Sequence, residues 1–449
     1  MPDGHVCSRT CSLLQRISAV GMMDGDFGAV VLDEESRLGG LCKARTASFP
    51  TTVLAATFAA TALAEASIAP AAAAPIATSG LNVNQTAVAN VLNAAAPSAT
   101  GTLAAQVQTL SALSPAAAQA GLDQLSGEIY ADAPLQVRQL VDSTFQPIWG
   151  RLGLSEITPP PAAASTQAWG SLLGNRGHLD QDGNVDGLDY TAAGAMVGGD
   201  RTLDAWQLGL AAGGVHTRAT GNQLSRGSYT GNIAQIAAYA GRAFSLLNAG
   251  AMLGYSQGPL DFSNTTPFGT GTQSLDAKIL TAEARVAHTF ALGQDNALTP
   301  ILAVQTMHVN LASGQESSSN PLALSVHSKS VTSSDAQAML RYDHLWGDGA
   351  QPWQFSLGGG ALVYINNPDP TTVMNFAGLP NAPFVVTGTA THRVQATLAA
   401  SLTAPLRPGM ALQVGWQEFF VGYNEPSGGG KLGLYARQGT LYADLQMAM

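Results

Sequence analysis

Asp335-Ala336-Gln337-Ala338-Met339-Leu340-Arg341-Tyr342-Asp343 sets Asp335, Gln337, Arg341 and Asp343 on one side of an extended chain and Ala336, Ala338, Leu340 and Tyr342 on the other. Successive side chains leave a strand in opposite directions, so a period of two marks a β-strand with one apolar face. The alternation continues on both sides of this stretch. Upstream, Glu283 and Arg285 alternate with Ala282, Ala284 and Val286. Downstream, Arg393, Gln395, Thr397 and Ser401 alternate with Val394, Ala396, Leu398 and Leu402, and Asp444 and Gln446 with Leu445, Met447 and Met449.

A sandwich in water alternates in the same way, so the connections must separate the two cases. Twelve strands fit residues 167–175, 187–197, 203–213, 228–240, 244–256, 276–291, 297–312, 332–346, 351–365, 389–404, 410–423 and 435–449. Their connections run roughly 11, 5, 14, 3, 19, 5, 19, 4, 23, 5 and 11 residues, the long and short alternation of a transmembrane barrel. The short turns fall on Gly198-Gly199-Asp200, Gly241-Arg242, Gly293-Gln294-Asp295-Asn296, Gly347-Asp348-Gly349 and Arg407-Pro408-Gly409, residues suited to tight backbone geometry. Trp206, Phe290, Trp346 and Trp353 flank these turns on the apolar face, and Tyr190, Tyr255 and Phe420 lie toward the long loops, as two interfacial girdles. Glu418 shares the face of Val414 and Trp416 and so must lie beyond the hydrocarbon.

Composition agrees with this reading. Only 11% of the 449 residues are charged, against roughly 25% in an average soluble protein. With 49 glycines, the chain is also a poor candidate for a long helical bundle. The excess of 30 acidic over 20 basic residues argues against nucleic acid as a partner. Apolar runs stay short of the ~18 residues that a spanning helix requires, which leaves a closed barrel as the membrane architecture.

Ahead of the strands, Arg37, Lys43 and Arg45 precede the apolar run Thr52 to Leu63, which ends in Ala62-Leu63-Ala64. This is the layout of a secretory signal peptide cleaved after a small-x-small motif, with Ala62 and Ala64 as its small residues. Cys7, Cys11 and Cys42 all lie before that site, so the mature chain would carry no thiol. Residues 1–64 are therefore assigned to leader and signal peptide, and residues 65–81 to an Ala/Pro-rich linker. Helical spacing marks Asn84 to Leu92, Thr102 to Leu113 and a longer run from Leu122 to Leu152. Pro134 and Pro147 should break that run into two or three pieces.

Several segments resemble the translocator unit of bacterial autotransporters. Asn84-Gln85-Thr86-Ala87-Val88-Ala89 and Leu122-Asp123-Gln124-Leu125-Ser126-Gly127-Glu128-Ile129-Tyr130 are similar to the linker that precedes such barrels. Trp169-Gly170 is similar to the first strand, and Tyr190 to Gly194, Gly198, Asp200 to Trp206 and Gly209 to the second and third. The resemblance implies an all-β fold, a 12-stranded antiparallel transmembrane barrel over residues 167–449. Before it stands a helical linker, or residual passenger, at 82–166, and a helix occupies the lumen. It further implies outer-membrane localisation, export of the N-terminal segment, and outer-membrane lipid, periplasmic chaperones and the barrel-assembly machinery as partners. Members end in Phe or Trp, which that machinery reads; here Leu441, Leu445, Met447 and Met449 hold the corresponding alternation. Fewer than about sixty residues separate Ala64 from the linker, too few for the stacked β-solenoid usual in the family. A passenger-less pore or surface barrel, and a fragment of a longer autotransporter, are the alternatives.

Motifs that could carry other chemistry read more simply. Asp180-Gln181-Asp182-Gly183-Asn184-Val185-Asp186 opens like a calcium loop, but Val185 stands where Gly is needed and Thr191 where Glu is needed. Gly428-Gly429-Gly430-Lys431-Leu432-Gly433 lacks the helix that a dinucleotide site requires. The sequence therefore predicts no catalytic residues, no metal site and no cofactor. Glu283, Arg285, Asp335, Arg341, Asp343 and Arg393 are expected to line the lumen, either solvated or in contact with a plugging helix.

Overall fold

The computed structural model describes residues 74–155, 166–179, 185–221, 227–245, 247–347, 352–366, 368–389, 393–424 and 432–448. Ala62, Ala64, Met449 and most of the calcium-like and glycine-rich loops lie outside them. Four helices come first: α1 (Val83–Ala95), α2 (Gly101–Ser111), α3 (Pro115–Ser126) and α4 (Ile129–Arg151). Local chemistry sets their ends. Asn82 and Gln85 form a reciprocal capping box on α1, and Pro115 opens α3. Gly127, at φ 66°, supplies the left-handed residue that turns α3 into α4. A side chain there would also run into Leu324 and Met374.

Twelve long strands follow: β1 (Thr166–Leu179), β2 (Leu188–Leu203), β3 (Trp206–Gly221), β4 (Gly227–Ala243), β5 (Asn248–Thr266), β6 (Gly269–Ala287), β7 (Asn296–Leu311), β8 (Lys329–Trp346), β9 (Trp353–Tyr364), β10 (Val394–Arg407), β11 (Met410–Asn424) and β12 (Leu432–Ala448). Neighbours in sequence pair antiparallel, and β1 pairs with β12 from Gln167 opposite Ala448 to Leu179 opposite Ala436. The sheet thereby closes on itself. A second sheet of short strands, Gly314–Gln315, Leu324–Val326, Thr371–Phe376 and Phe384–Thr387, is built from the β7–β8 and β9–β10 connections at the long-loop end.

The faces are inverted relative to a protein that lives in water. Leu172, Val197, Leu210, Leu253, Leu302 and Leu441 point out of the barrel, each more than half exposed, while Gln235, Thr281, Gln305 and Ser356 are buried inside it. An apolar outer band around a polar interior is stable only with hydrocarbon outside. Among the described residues no helix is long and apolar enough to cross a membrane. The exposed Trp206, Phe290, Trp346 and Trp353 ring the short-turn end, with Trp346 stacked on Trp353 at 6.2 Å.

Several local expectations are corrected. The β2–β3 turn is Asp204-Ala205, and Gly198-Gly199-Asp200 belongs to β2, where Trp169 covers the side-chain-free Gly198. Gly241-Arg242 likewise lies within β4. The connection read at 257–275 is instead a hairpin in which β5 and β6 continue to Pro267-Phe268, since Leu260, Phe262, Leu275 and Ala277 bury against the helices. Tyr190 faces inward and donates to Gln438 Oε1 at 3.2 Å, so it takes no part in a girdle. Finally, α4 is one 23-residue helix that contains both Pro134 and Pro147. Each interior proline costs about 3 kcal/mol, and the packing of α4's buried side chains inside the barrel offsets that cost.

Candidate functional site

The lumen gathers a dense set of buried charges, to which α4 contributes Asp132, Arg138, Asp142 and Arg151. At about 1.5 Å per residue α4 is long enough to traverse the barrel. Its first turn lies at the long-loop end, where the Tyr130 hydroxyl donates to Glu316 Oε1 at 3.0 Å and its ring packs 4.5 Å from that of Phe262. Its last turn lies at the short-turn end, where Arg151 grips Asp200 of β2 through Nε at 3.0 Å and Nη2 at 3.1 Å. Arg151 also donates to Gln446 of β12 at 2.6 Å and to Gln167 of β1. The helix is thus tied to the strands on both sides of the barrel seam.

Between these ends, Arg138 pairs with Asp335 and donates to Tyr364 at 2.5 Å and Gln305 at 3.2 Å. Gln305 in turn donates to Asp142 of α4 at 2.5 Å and to Glu283 at 3.2 Å. Glu283 also accepts from the Trp149 indole at 2.8 Å and from Arg285 at 2.6 Å, whose guanidinium lies 4.6 Å over the Trp149 ring. Beyond the helix, Arg341 is held by Asp343 at 2.9 Å and donates to the Ser155 carbonyl at 2.5 Å. These buried cations are all arginines, whose planar forks can satisfy several acceptors at once, and each has a carboxylate partner.

Shape complements charge. Phe145 occupies the space that a side chain at Gly254 of β5 would need, and Leu152 does the same at Gly241 and Gly250. On the opposite side a narrow slot remains between α4 and the wall, lined by both polar and apolar groups, among them Ser143, Pro147, Leu173, Gln413, Gln417 and Thr440. Among the described residues no group of three His, Cys, Asp or Glu side chains could hold a metal ion.

Of the residues singled out in the sequence, Glu283, Arg285, Asp335, Arg341 and Asp343 are buried inside the barrel. Glu283, Arg285, Asp335 and Arg341 bond directly to α4 or to the segment just after it. Arg393 is corrected: β10 begins one residue later, and Arg393 sits exposed at the long-loop rim. Leu441 and Met447 point outward, Leu445 follows the same register at intermediate exposure, and Asp444 and Gln446 point inward. Sequence reasoning missed the helix side of the network: Arg138, Asp142, Trp149 and Arg151. The available signal was charge recurring within an apolar helical run, since a charge on a buried helix demands a partner.

A closed barrel with an apolar outer face and a helix of its own chain in the lumen defines the architecture of an outer-membrane translocator domain. The chain belongs to the autotransporter family: the Autotransporter beta-domain profile matches residues 168–417. The translocator domain of the autotransporter NalP from Neisseria meningitidis is similar in fold, with a TM-score of 0.56 at 9% identity, covering 72% of this chain and 99% of that one. The transport unit of AIDA-I from Escherichia coli matches with a TM-score of 0.48 at 9% identity, covering 67% and 96%. The β-domain of the Bordetella autotransporter BrkA gives 0.45 at 13%, covering 64% and 100%. No curated protein matches the chain. Barrels of this family reside in the outer membrane, and so does this one.

Proposed function

We propose that this protein is a self-translocating outer-membrane barrel seen in its closed state, after its N-terminal segment has passed through the lumen to the cell surface. One observation carries the reading. The chain enters α4 at the long-loop end, leaves it beside Asp200 at the short-turn end, and only then begins β1. A chain whose N-terminal side lies beyond the far mouth of its own barrel has been threaded through it. The short-turn end then faces the periplasm and the long loops face outward.

On this reading the protein works without catalytic residues or a cofactor, and its arginine network seats α4 once export has finished. Leu441, Leu445, Met447 and Met449 form the lipid-facing pattern presented to the assembly machinery, with periplasmic chaperones carrying the unfolded chain. Ala62 and Ala64 mark the signal-peptide cleavage site. Planar-bilayer recording of the purified full-length barrel tests the reading: a seated α4 keeps the pore closed or nearly so. A large, steady conductance would favour a pore or surface barrel that transports no segment of its own.

A further inference from the structure

Residues ahead of the lumen helix do not trail from the barrel as a free linker. Helices α1, α2 and α3 share a core of Val88, Leu92, Val107, Leu110, Leu122 and Leu125, all at most 1% exposed. That core is completed by the long-loop end of the barrel, and polar side chains tie it there. The Asn84 amide donates to the Thr387 carbonyl and accepts from the Thr387 N–H, both at 2.8 Å, so one side chain acts as an extra strand on the edge of the short sheet. Asn84 also donates to Glu128 at 3.0 Å, and Glu128 accepts from the Asp186 N–H at 2.8 Å. Gln85 donates to Asp123 at 2.8 Å, fastening α1 to α3. Gln106 of α2 donates to Asn320 at 3.0 Å, and Asn320 donates to the Phe268 carbonyl at 3.2 Å. The partners Asp186, Phe268, Asn320 and Thr387 come from four connections spaced around the mouth, β1–β2, β5–β6, β7–β8 and β9–β10. Side chains of α1 and α2 bond Thr387 and Asn320 directly, and reach Asp186 through Glu128 and Phe268 through Asn320. Gly121 of α3 packs beside Pro267 of the β5–β6 hairpin, so the body lies across the opening.

We propose that residues 82–127 are a lid over the outer mouth, latched by Asn84, so that the barrel is closed twice: by α4 in the lumen and by α1–α3 above it. This rests on the long-loop end facing outward. The lid is the fixed surface structure of the closed protein, and its opening controls outside access to the upper lumen. Gln136, one turn and more below the lid, reports that access: it is 3% exposed, and neither atom of its amide has a hydrogen-bond partner, so cysteine there removes no bond.

The test uses the full chain with Cys7, Cys11 and Cys42 replaced by serine, in porin-deficient cells treated with a small, charged, membrane-impermeant thiol reagent. Val83→Cys, half exposed on the lid, should label promptly and report orientation. Gln136→Cys should be protected. Adding Asn84→Ala, or Leu125→Asp to unfold the lid core, should speed labelling at position 136 by about tenfold or more while the barrel stays heat-modifiable. Should Leu125→Asp fail to assemble, Asn84→Ala carries the test alone. Equal labelling of positions 83 and 136 in the parent overturns the lid, and so does unchanged protection of position 136 once the latch is removed. Failure of Val83→Cys to label before lysis overturns the orientation itself, an outcome distinct from the other two.

Discussion

Arg138 of α4 and Asp335 of β8 form an ion pair inside the lumen, with side chains 3% and 0% exposed. Two ions so buried interact strongly, yet both have lost their hydration, so the pair is better at fixing where the helix sits than at adding net stability. Deleting one partner leaves the other buried and uncompensated. Asp335→Ala should therefore cost about 3–5 kcal/mol, whereas the double variant Arg138→Met/Asp335→Leu should cost much less. Unfolding midpoints followed by heat-modifiability distinguish the two, and equal losses would show that the pair does not position α4.

Phe145 of α4 sits where a side chain at Gly254 of β5 would project. Gly254→Val should destabilise the closed state by about 1–3 kcal/mol through overpacking. Phe145→Ala in the same chain should recover part of that loss, because contacting residues couple by about 0.5–3 kcal/mol. Additive effects in a double-mutant cycle would mean that the ring and the strand do not touch.

Much of this architecture was legible in the chain and some of it was not, for physical reasons that differ. The twelve strands were readable because period-two alternation is local, and hydrocarbon on one side with water and protein on the other enforces it along every strand. Turn positions were less so: Gly198-Gly199-Asp200 looks like a turn, but the space Gly198 leaves is filled by Trp169, which lies on another strand. The unbroken course of α4 through Pro134 and Pro147 was hidden because confinement in the lumen overrides local propensity. Partner identity was hidden most deeply. Arg151 and Asp200 are 49 residues apart, and Arg138 and Asp335 are 197 apart, separations at which no spacing rule operates.

The lid should tighten in mild acid. Burial pushes the Asp123 carboxyl up to about 6, against the hydrogen bond from Gln85. Burial, with the neighbouring Asp132 and Asp186 charges, holds Glu128 well above the ordinary carboxylate range. Carboxyls whose folded values exceed their unfolded ones stabilise the fold fully below the unfolded values, and that contribution is lost as pH rises through the folded ones. Labelling at Gln136→Cys, taken relative to Val83→Cys at each pH, should therefore be slower at pH 5 than at pH 7.5. Asp123→Asn should flatten part of the slope; a lid looser at pH 5 would reverse the assignment.

The C-terminal strand provides a test of the lipid-facing register. Leu441 is 62% exposed on the outer face, and Gln417, opposite Thr440, borders the slot beside α4. Leu441→Arg should cost about 2–4 kcal/mol near the membrane midplane and impair assembly, while Gln417→Arg should be tolerated. Gln446 is an unsuitable inward comparator, since it accepts from Arg151 and a second guanidinium there would meet the first. Equal recovery of the two arginine variants as heat-modifiable membrane protein would contradict the register.

The central claim is that the chain runs through its own barrel, with the residues before α4 outside the cell and the short turns in the periplasm. Single cysteines at Gln108, exposed on α2, and at Ala205, exposed in the β2–β3 turn, measure this directly in a chain whose three native cysteines are replaced. In intact cells a membrane-impermeant maleimide should label position 108 and leave position 205 unlabelled until the cells are lysed. Labelling of position 205 but not of position 108 before lysis would contradict the threading and the function built on it.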